Sequence, residues 1–194
     1  MQTRLRDAIL SGEMRPNQRI VEADLAEDLG VSRTPVREAL LRRRHDGLVA
    51  QRKGRIVRDH DSAEVLEHLE ARAALESVTA GFAAERISDE TLGRLRELSR
   101  REVNALNSQF HRLIAEAGGD PVLAAFARDT DINYWTFTTP IIFTADDERH
   151  VDNGHRALLD ALQRHDAEAA ATIAREHVMG TAQIIARSLG LSQR

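Results

Sequence analysis

Two groups of residues in this 194-residue chain have types and spacings that could do chemistry. The first is the run Gly30-Val31-Ser32-Arg33-Thr34-Pro35-Val36-Arg37-Glu38-Ala39-Leu40. Arg33 and Arg37 stand one helical turn apart, with hydroxyls around them at a helix start. A guanidinium fork matches O6 and N7 of guanine in a major groove and also suits phosphate oxygens, while Ser32 and Thr34 can donate to phosphates at a helix N-terminus. The second group is dispersed: Asn107 and His111 at i, i+4, then His155 and His177. Three imidazoles converging inside a helical bundle would suit a borderline divalent metal such as Zn, Ni or Mn, with positions left open for water or a ligand oxygen.

These residues need particular elements to hold them. Gly30 can take the positive φ that ends a preceding helix, whose apolar stripe is Ala23, Leu25, Ala26 and Leu29. Ser32 or Thr34 can cap the next helix, and Pro35 fits its first turn, where no backbone N–H is required. Helix, short turn and helix is the helix-turn-helix order. Val36, Ala39 and Leu40 share one face of the second helix, leaving Arg33 and Arg37 free to face a groove. The same periodicity puts Arg43 on the apolar side, where a charge must snorkel or find a partner. Gly47 to Gln51 and Arg55 to Arg58 are β-prone runs separated by Arg52-Lys53-Gly54. They predict a basic hairpin, a wing, with Gly54 in its tight turn and Arg52, Lys53 and Arg55 over the backbone or in the minor groove.

Polar residues Arg58-Asp59-His60-Asp61-Ser62 mark a boundary, placing a winged domain at 1–58, a linker at 59–61 and a second domain at 62–194. In the second domain, helical spacing predicts segments near 62–86, 88–117, 121–139, 146–164 and 166–189, the third weakest around its β-branched stretch Tyr134 to Pro140. His155 lies ten residues before His165 and His177 twelve after it, so an antiparallel hairpin turning there brings the two rings level. Taken by themselves, histidines flanked by apolar residues are more often satisfied core or surface groups than ligands.

Composition narrows the field. The chain has no cysteine, which removes disulfides and thiolate metal sites. It shows no apolar run of membrane length and no signal pattern, which predicts a soluble cytoplasmic protein without a membrane partner. The net charge of −4 conceals a split: residues 1–58 carry 13 Lys+Arg against 8 Asp+Glu, and residues 59–194 carry 14 against 23. Only the front part has the sign of a nucleic-acid surface.

The ordered motifs Ile9-Leu10-Ser11-Gly12, Arg15-Pro16, Ile20-Val21-Glu22, Leu25-Ala26, Gly30 to Leu40, Gly47-Leu48-Val49 and Gly54 make residues 1 to about 58 resemble the winged helix of the GntR family of bacterial transcription regulators. The chain starts at Met1-Gln2-Thr3, inside the first helix that the resemblance implies, so that helix is expected to be short and frayed. Residues from about 62 to 190 resemble the FCD effector domain of the FadR-like branch. Phe110-His111, the run from His155 to Leu162, and Asp166-Ala167-Glu168-Ala169-Ala170 with His177 match the surroundings of that domain's metal-holding histidines. The resemblance implies a mainly α protein, a winged helix-turn-helix followed by an antiparallel all-α bundle. It further implies a divalent metal held by residues 107, 111, 155 and 177, a small carboxylate effector clamped by Arg72, and a homodimer on a near-palindromic double-stranded DNA operator. Asn107 replaces the family's Asp, which weakens the expected metal site, and the stretch from Arg96 to Asn107 is shorter than the family's. Arg72 has another reading from spacing alone, as the partner of Glu76 one turn on. The DNA-binding residues expected are Ser32, Arg33, Thr34, Arg37, Lys53 and Gly54, and no enzymatic activity is expected. Two alternatives stay open: a bundle that only dimerises, or a metal-dependent hydrolase using the three histidines to activate water.

Overall fold

Apolar residues three and four apart build both parts of the chain, and short polar interruptions decide where each helix stops. A computed structural model describes residues 4–5, 8–9, 13–45, 47–59, 62–99, 104–130 and 143–190. The Tyr134 to Pro140 stretch and residues 60 and 61 lie outside them. The chain forms two compact units that divide between residues 61 and 62.

In the first unit, strand β1 (Arg19–Ile20) precedes helix α1 (Glu22–Asp28) and helix α2 (Arg33–His45), and strands β2 (Val49–Gln51) and β3 (Arg55–Val57) follow. Gly30 between the helices has φ +64°, a left-handed conformation that costs a residue without Cβ little. The strands form an antiparallel sheet in the order β1-β3-β2, with Val49 opposite Val57, Gln51 opposite Arg55 and Ile20 opposite Arg55 from the other side. Sequence patterning predicts the β2–β3 hairpin but not β1, whose two residues are too few to show alternation. Ile9, Ile20, Ala26, Val36, Ala39, Leu40, Leu48, Val49 and Val57 make one core beneath this sheet. Arg43 is on the core side as its periodicity requires, and only 5% of its surface is exposed.

The second unit consists of α3 (Ser62–Arg86), α4 (Asp89–Ser99), α5 (Asn104–Ala117), α6 (Pro121–Thr130), α7 (Ala145–Gln163) and α8 (Ala167–Ser188). The segment expected as a single helix over 88–117 is two helices, α4 and α5. The reason is packing: Leu92 and Leu95 of α4 share one core with Phe110 and Ile114 of α5, whereas a continuous helix would set Leu92 roughly 27 Å from Phe110 at about 1.5 Å per residue. The long helix α3 packs chiefly along α8 and also touches α5, α6 and α7. Ala80, Ala83 and Ala84 on α3 and Ala170 and Ala174 on α8 are almost wholly buried, so small side chains let these long helices approach closely.

Helices α7 and α8 form an antiparallel hairpin whose ends are capped. Asp166 accepts a hydrogen bond from Ala169 N at 3.0 Å and starts α8. At the start of α7 a capping box joins Thr144 and Asp147 reciprocally: Thr144 Oγ1 accepts from Asp147 N at 3.2 Å, and Thr144 N donates to Asp147 Oδ2 at 2.9 Å. Arg187, near the far end of α8, donates to the same Asp147 oxygen. These bonds, from Arg187 first and then Thr144, hold the Asp147 carboxyl well below the usual carboxylate range. Replacing Thr144 by Ala removes one half of the box, and it is expected to lower the stability of the helical unit by about 1 kcal/mol. Urea unfolding followed by helical circular dichroism measures this; a midpoint equal to wild type would mean that the box does not hold α7 in place.

Candidate functional site

The start of α2 presents one set of polar side chains. The helix begins at Arg33, which leaves Ser32 in the N-cap place and Thr34 and Pro35 in the first turn. Ser32, Arg33, Thr34 and Arg37 are exposed, while Val36, Ala39 and Leu40 on the opposite face are buried. At the wing tip Lys53 and Gly54 have φ +44° and +125°, and Arg52 N donates to Gly54 O at 2.8 Å to close the turn. Arg33 and Arg37 differ in their surroundings. Arg37 Nε donates to Glu22 Oε2 at 3.2 Å, so Arg37 is not the unattached group that its spacing suggests.

The second set is buried in the helical unit. His111 of α5, His155 of α7 and His177 of α8 are each 6–7% exposed, and their ligand-capable nitrogens lie within 4.8 Å of one another. The Nε2 atoms of His111 and His155 are 3.4 Å apart. Ring centroids of His155 and His177 are separated by 4.5 Å, and those of His111 and His177, stacked at 26°, by 5.2 Å. Phe110 closes the cluster from the apolar side, 4.6 Å from the His155 ring. Gly154 makes room: a Cβ there would stand 2.3 Å from His177 Nδ1. Asn107 belongs to the same helix as His111, one turn earlier, and its side chain lies outside the described residues.

A buried carboxylate orders this cluster. Glu76 of α3 sits 2.7 Å from His111 Nδ1 through Oε2, and its Oε1 accepts from Arg72 Nε. Burial alone pushes the Glu76 carboxyl up, but Arg72 and then His111 outweigh it and hold the group well below the usual carboxylate range. An ionised carboxylate only accepts, so Nδ1 of His111 carries the shared proton, and a neutral ring offers its Nε2 lone pair to the other histidines. Burial, followed by the proximity of His111, lowers His155 to about 3 and lowers His177 well below the ordinary imidazole value. Both rings are therefore uncharged at neutral pH and available as ligands.

This donor set fits a divalent metal. Two nitrogens bound to one tetrahedral zinc at about 2.0 Å stand roughly 3.3 Å apart, close to the His111–His155 spacing already present. A bound metal here would act as a Lewis acid for an oxygen ligand, held by His111, His155 and His177. Beside it, a small, partly open hollow is lined by Arg72, Glu76, Ser108, His111, Arg112, Ala127 and Arg128.

Arg72 therefore does what its spacing to Glu76 allows, and it also borders the hollow. Glu76 itself was legible only as that partner and not as a neighbour of the histidines. A signal for it does exist: on α3 the stripe Leu69, Ala73, Ala80 and Ala83 is buried, and Arg72, Glu76 and Thr79 interrupt the same face. Charged residues in pairs on an apolar stripe point to a buried polar network. Of the other carboxylates on these helices, Glu116 is half-exposed and paired with Arg112, Asp152 is half-buried and Asp160 is exposed.

The uncharged rings make stability depend on pH. In the unfolded chain each histidine binds a proton below about pH 6.5, whereas folded His155 does so only near 3, so the unfolded state holds the extra proton between these values. Stability of the metal-free helical unit is thus expected to fall as pH drops below about 6.5, by on the order of 1 kcal/mol per pH unit for each of His155 and His177. Urea midpoints of chelator-treated protein at pH 7 and pH 5 measure it. A shallower dependence is expected in His177→Gln, and equal midpoints at the two pH values would show that the rings are not buried uncharged.

Comparison with known proteins bears on both sites. Residues 2–58 match the model for bacterial regulatory proteins of the gntR family, and residues 67–180 match the FCD domain. An HTH-type transcriptional regulator of Mycobacterium tuberculosis is 34% identical over 110 residues, which cover 56% of this chain and 44% of that protein. The matched stretch thus spans less than half the length of that relative. The Uxu operon transcriptional regulator of Escherichia coli is 30% identical over 216 residues, covering 92% of this chain and 82% of its own. Among solved structures, E. coli McbR/YncC has the same fold, with a TM-score of 0.82 at 23% identity over 97% of this chain and 96% of that one. With both domain models matched in order and the fold shared, the chain belongs to the gntR family of bacterial regulatory proteins and carries an FCD domain.

Proposed function

We propose that this protein is a DNA-binding transcriptional regulator whose operator affinity is set by a small carboxylate entering the helical unit. The observation that carries this reading is the exposed pair Arg33 and Arg37 at the start of α2, beside a basic wing, in a chain of the gntR family. Residues 1–58 bind DNA, 59–61 link, and 62–194 bind the effector and dimerise. As a homodimer the protein sets two recognition helices in successive major grooves of a near-palindromic operator, about 34 Å apart. Arg33 and Arg37 read base edges, while Ser32 and Thr34 bind phosphates and Lys53 and Gly54 contact the DNA at the wing. Cytoplasmic residence follows from that role.

Two features support effector control. Arg72, Arg112 and Arg128 surround the hollow, a cationic lining suited to a carboxylate. His111 belongs both to that hollow and to the histidine cluster, so one ligand oxygen can reach a metal while its carboxylate meets an arginine. Asn107 contributes no negative charge, so a Zn, Ni or Mn ion at His111, His155 and His177 is held more weakly than with the family's Asp. The effector shifts DNA affinity by the ratio of its affinities for the two arrangements of the dimer.

For DNA, Arg33→Ala and Arg37→Ala are each expected to lose operator preference while retaining the fold, and binding should weaken steeply with salt. Operator affinity equal to wild type in both variants would defeat the recognition-helix assignment. For the effector site, chelator-treated protein should gain thermal stability from Zn, Ni or Mn, and more from the metal together with a small dicarboxylate. His111→Ala should abolish the first gain and Arg72→Ala the increment. If no metal or carboxylate raises the melting temperature, the helical unit is a dimerisation module only.

A further inference from the structure

We propose that Glu22 is a positioning residue for sequence reading, which holds the Arg37 guanidinium by its Nε edge so that the terminal fork is pre-aimed at a base. This inference rests on the reading of α2 as the recognition helix.

The argument starts from the geometry of one carboxylate. Glu22, the first residue of α1, accepts at Oε2 from Arg37 Nε at 3.2 Å and at Oε1 from Arg55 Nη1 on β3 of the wing. Its two oxygens thus join the first helix, the helix expected in the groove, and the wing strand within one unit. Arg37 is 63% exposed at its side chain, and an exposed ion pair adds little to stability. Stability therefore gives no reason to place a negative charge beside an arginine that must approach a polyanion.

Orientation does give one. A guanidinium carries five N–H donors in a rigid plane, and engaging Nε leaves Nη1 and Nη2 for a bidentate contact with guanine O6 and N7. A free arginine must lose its rotamer freedom on binding, whereas one already held by Nε has lost part of it beforehand. The second oxygen matters for rigidity. Because Arg55 is only 16% exposed and bonds the same carboxylate, Glu22 cannot swing away with Arg37. Arg33, four residues earlier on the helix, is exposed, and the structure gives it no such contact with Glu22, so of the two arginines Arg37 is the one oriented in advance and Arg33 the more adaptable.

The two roles open to Glu22 differ in what they do to specificity. The experiment uses the full-length protein, a duplex it selects from a random pool, and a scrambled duplex of equal length. In Glu22→Gln the ratio of the two affinities is expected to fall by on the order of tenfold, the scale of part of one base contact. Loss of the negative charge alone would raise both affinities by the same factor, and that result, an unchanged ratio, would overturn the proposal. Glu22→Asp keeps the charge but shortens the reach; it should lower the ratio without tightening the scrambled duplex, and it stands in if Glu22→Gln fails to fold. In an Arg37→Ala background Glu22→Gln should leave the ratio unchanged, and a further fall there would show that Glu22 does not act through Arg37. If Arg37→Ala itself keeps the wild-type ratio, the recognition-helix reading has failed, a result separable from the failure of Glu22 alone.

Discussion

A carboxylate buried among helices must be surrounded by positive or proton-donating groups, and in the helical unit Glu76 imposes that requirement on everything near it. Arg72 supplies the charge from one turn away on the same helix, and His111 supplies a proton from α5. Satisfying Glu76 fixes which nitrogen of His111 is protonated and turns the other toward His155. The histidine cluster is consequently the far end of a chain of hydrogen bonds that begins on α3. Taking away either partner would leave a buried charge uncompensated, which costs more than the contact itself contributes.

Packing serves the same cluster from the other side. His155 and His177 come within 4.5 Å because α7 and α8 turn back on each other at residues 164–166, with both helices capped at their starts. Gly154 leaves no Cβ where the His177 ring lies, and alanines along α3 and α8 allow the long helices to close around it. Desolvation then keeps His155 and His177 uncharged, so the fold prepares these two rings by excluding water.

The winged unit uses one half-buried carboxylate in a comparable way. Glu22 links α1 to Arg37 of α2 and to Arg55 of β3. In both units an acidic side chain orients a cationic or proton-bearing one. In the helical unit the pair is desolvated; in the winged unit Arg37 is exposed while Glu22 and Arg55 are half-buried.

Local patterns in the sequence determined a great deal. The turn at Gly30, the exposed start of α2, the wing hairpin, the buried face holding Arg43 and the levels of His155 and His177 all follow from periodicity, caps and turn residues, which act within a few positions along the chain. Three matters were decided only by the tertiary structure. The break between α4 and α5 exists because Phe110 and Ile114 must return to the core that Leu92 and Leu95 face. Strand β1 is two residues long and is held by pairing with β3 and by burial of Ile20 in the core. The contacts of Glu76 with His111 and of Glu22 with Arg37 and Arg55 join residues 15 to 35 positions apart, and no spacing rule reaches that far. Hydrogen-bond partners at such distances are chosen by which side chains share a desolvated space or a common edge after the helices have packed, and that choice is a property of three-dimensional proximity.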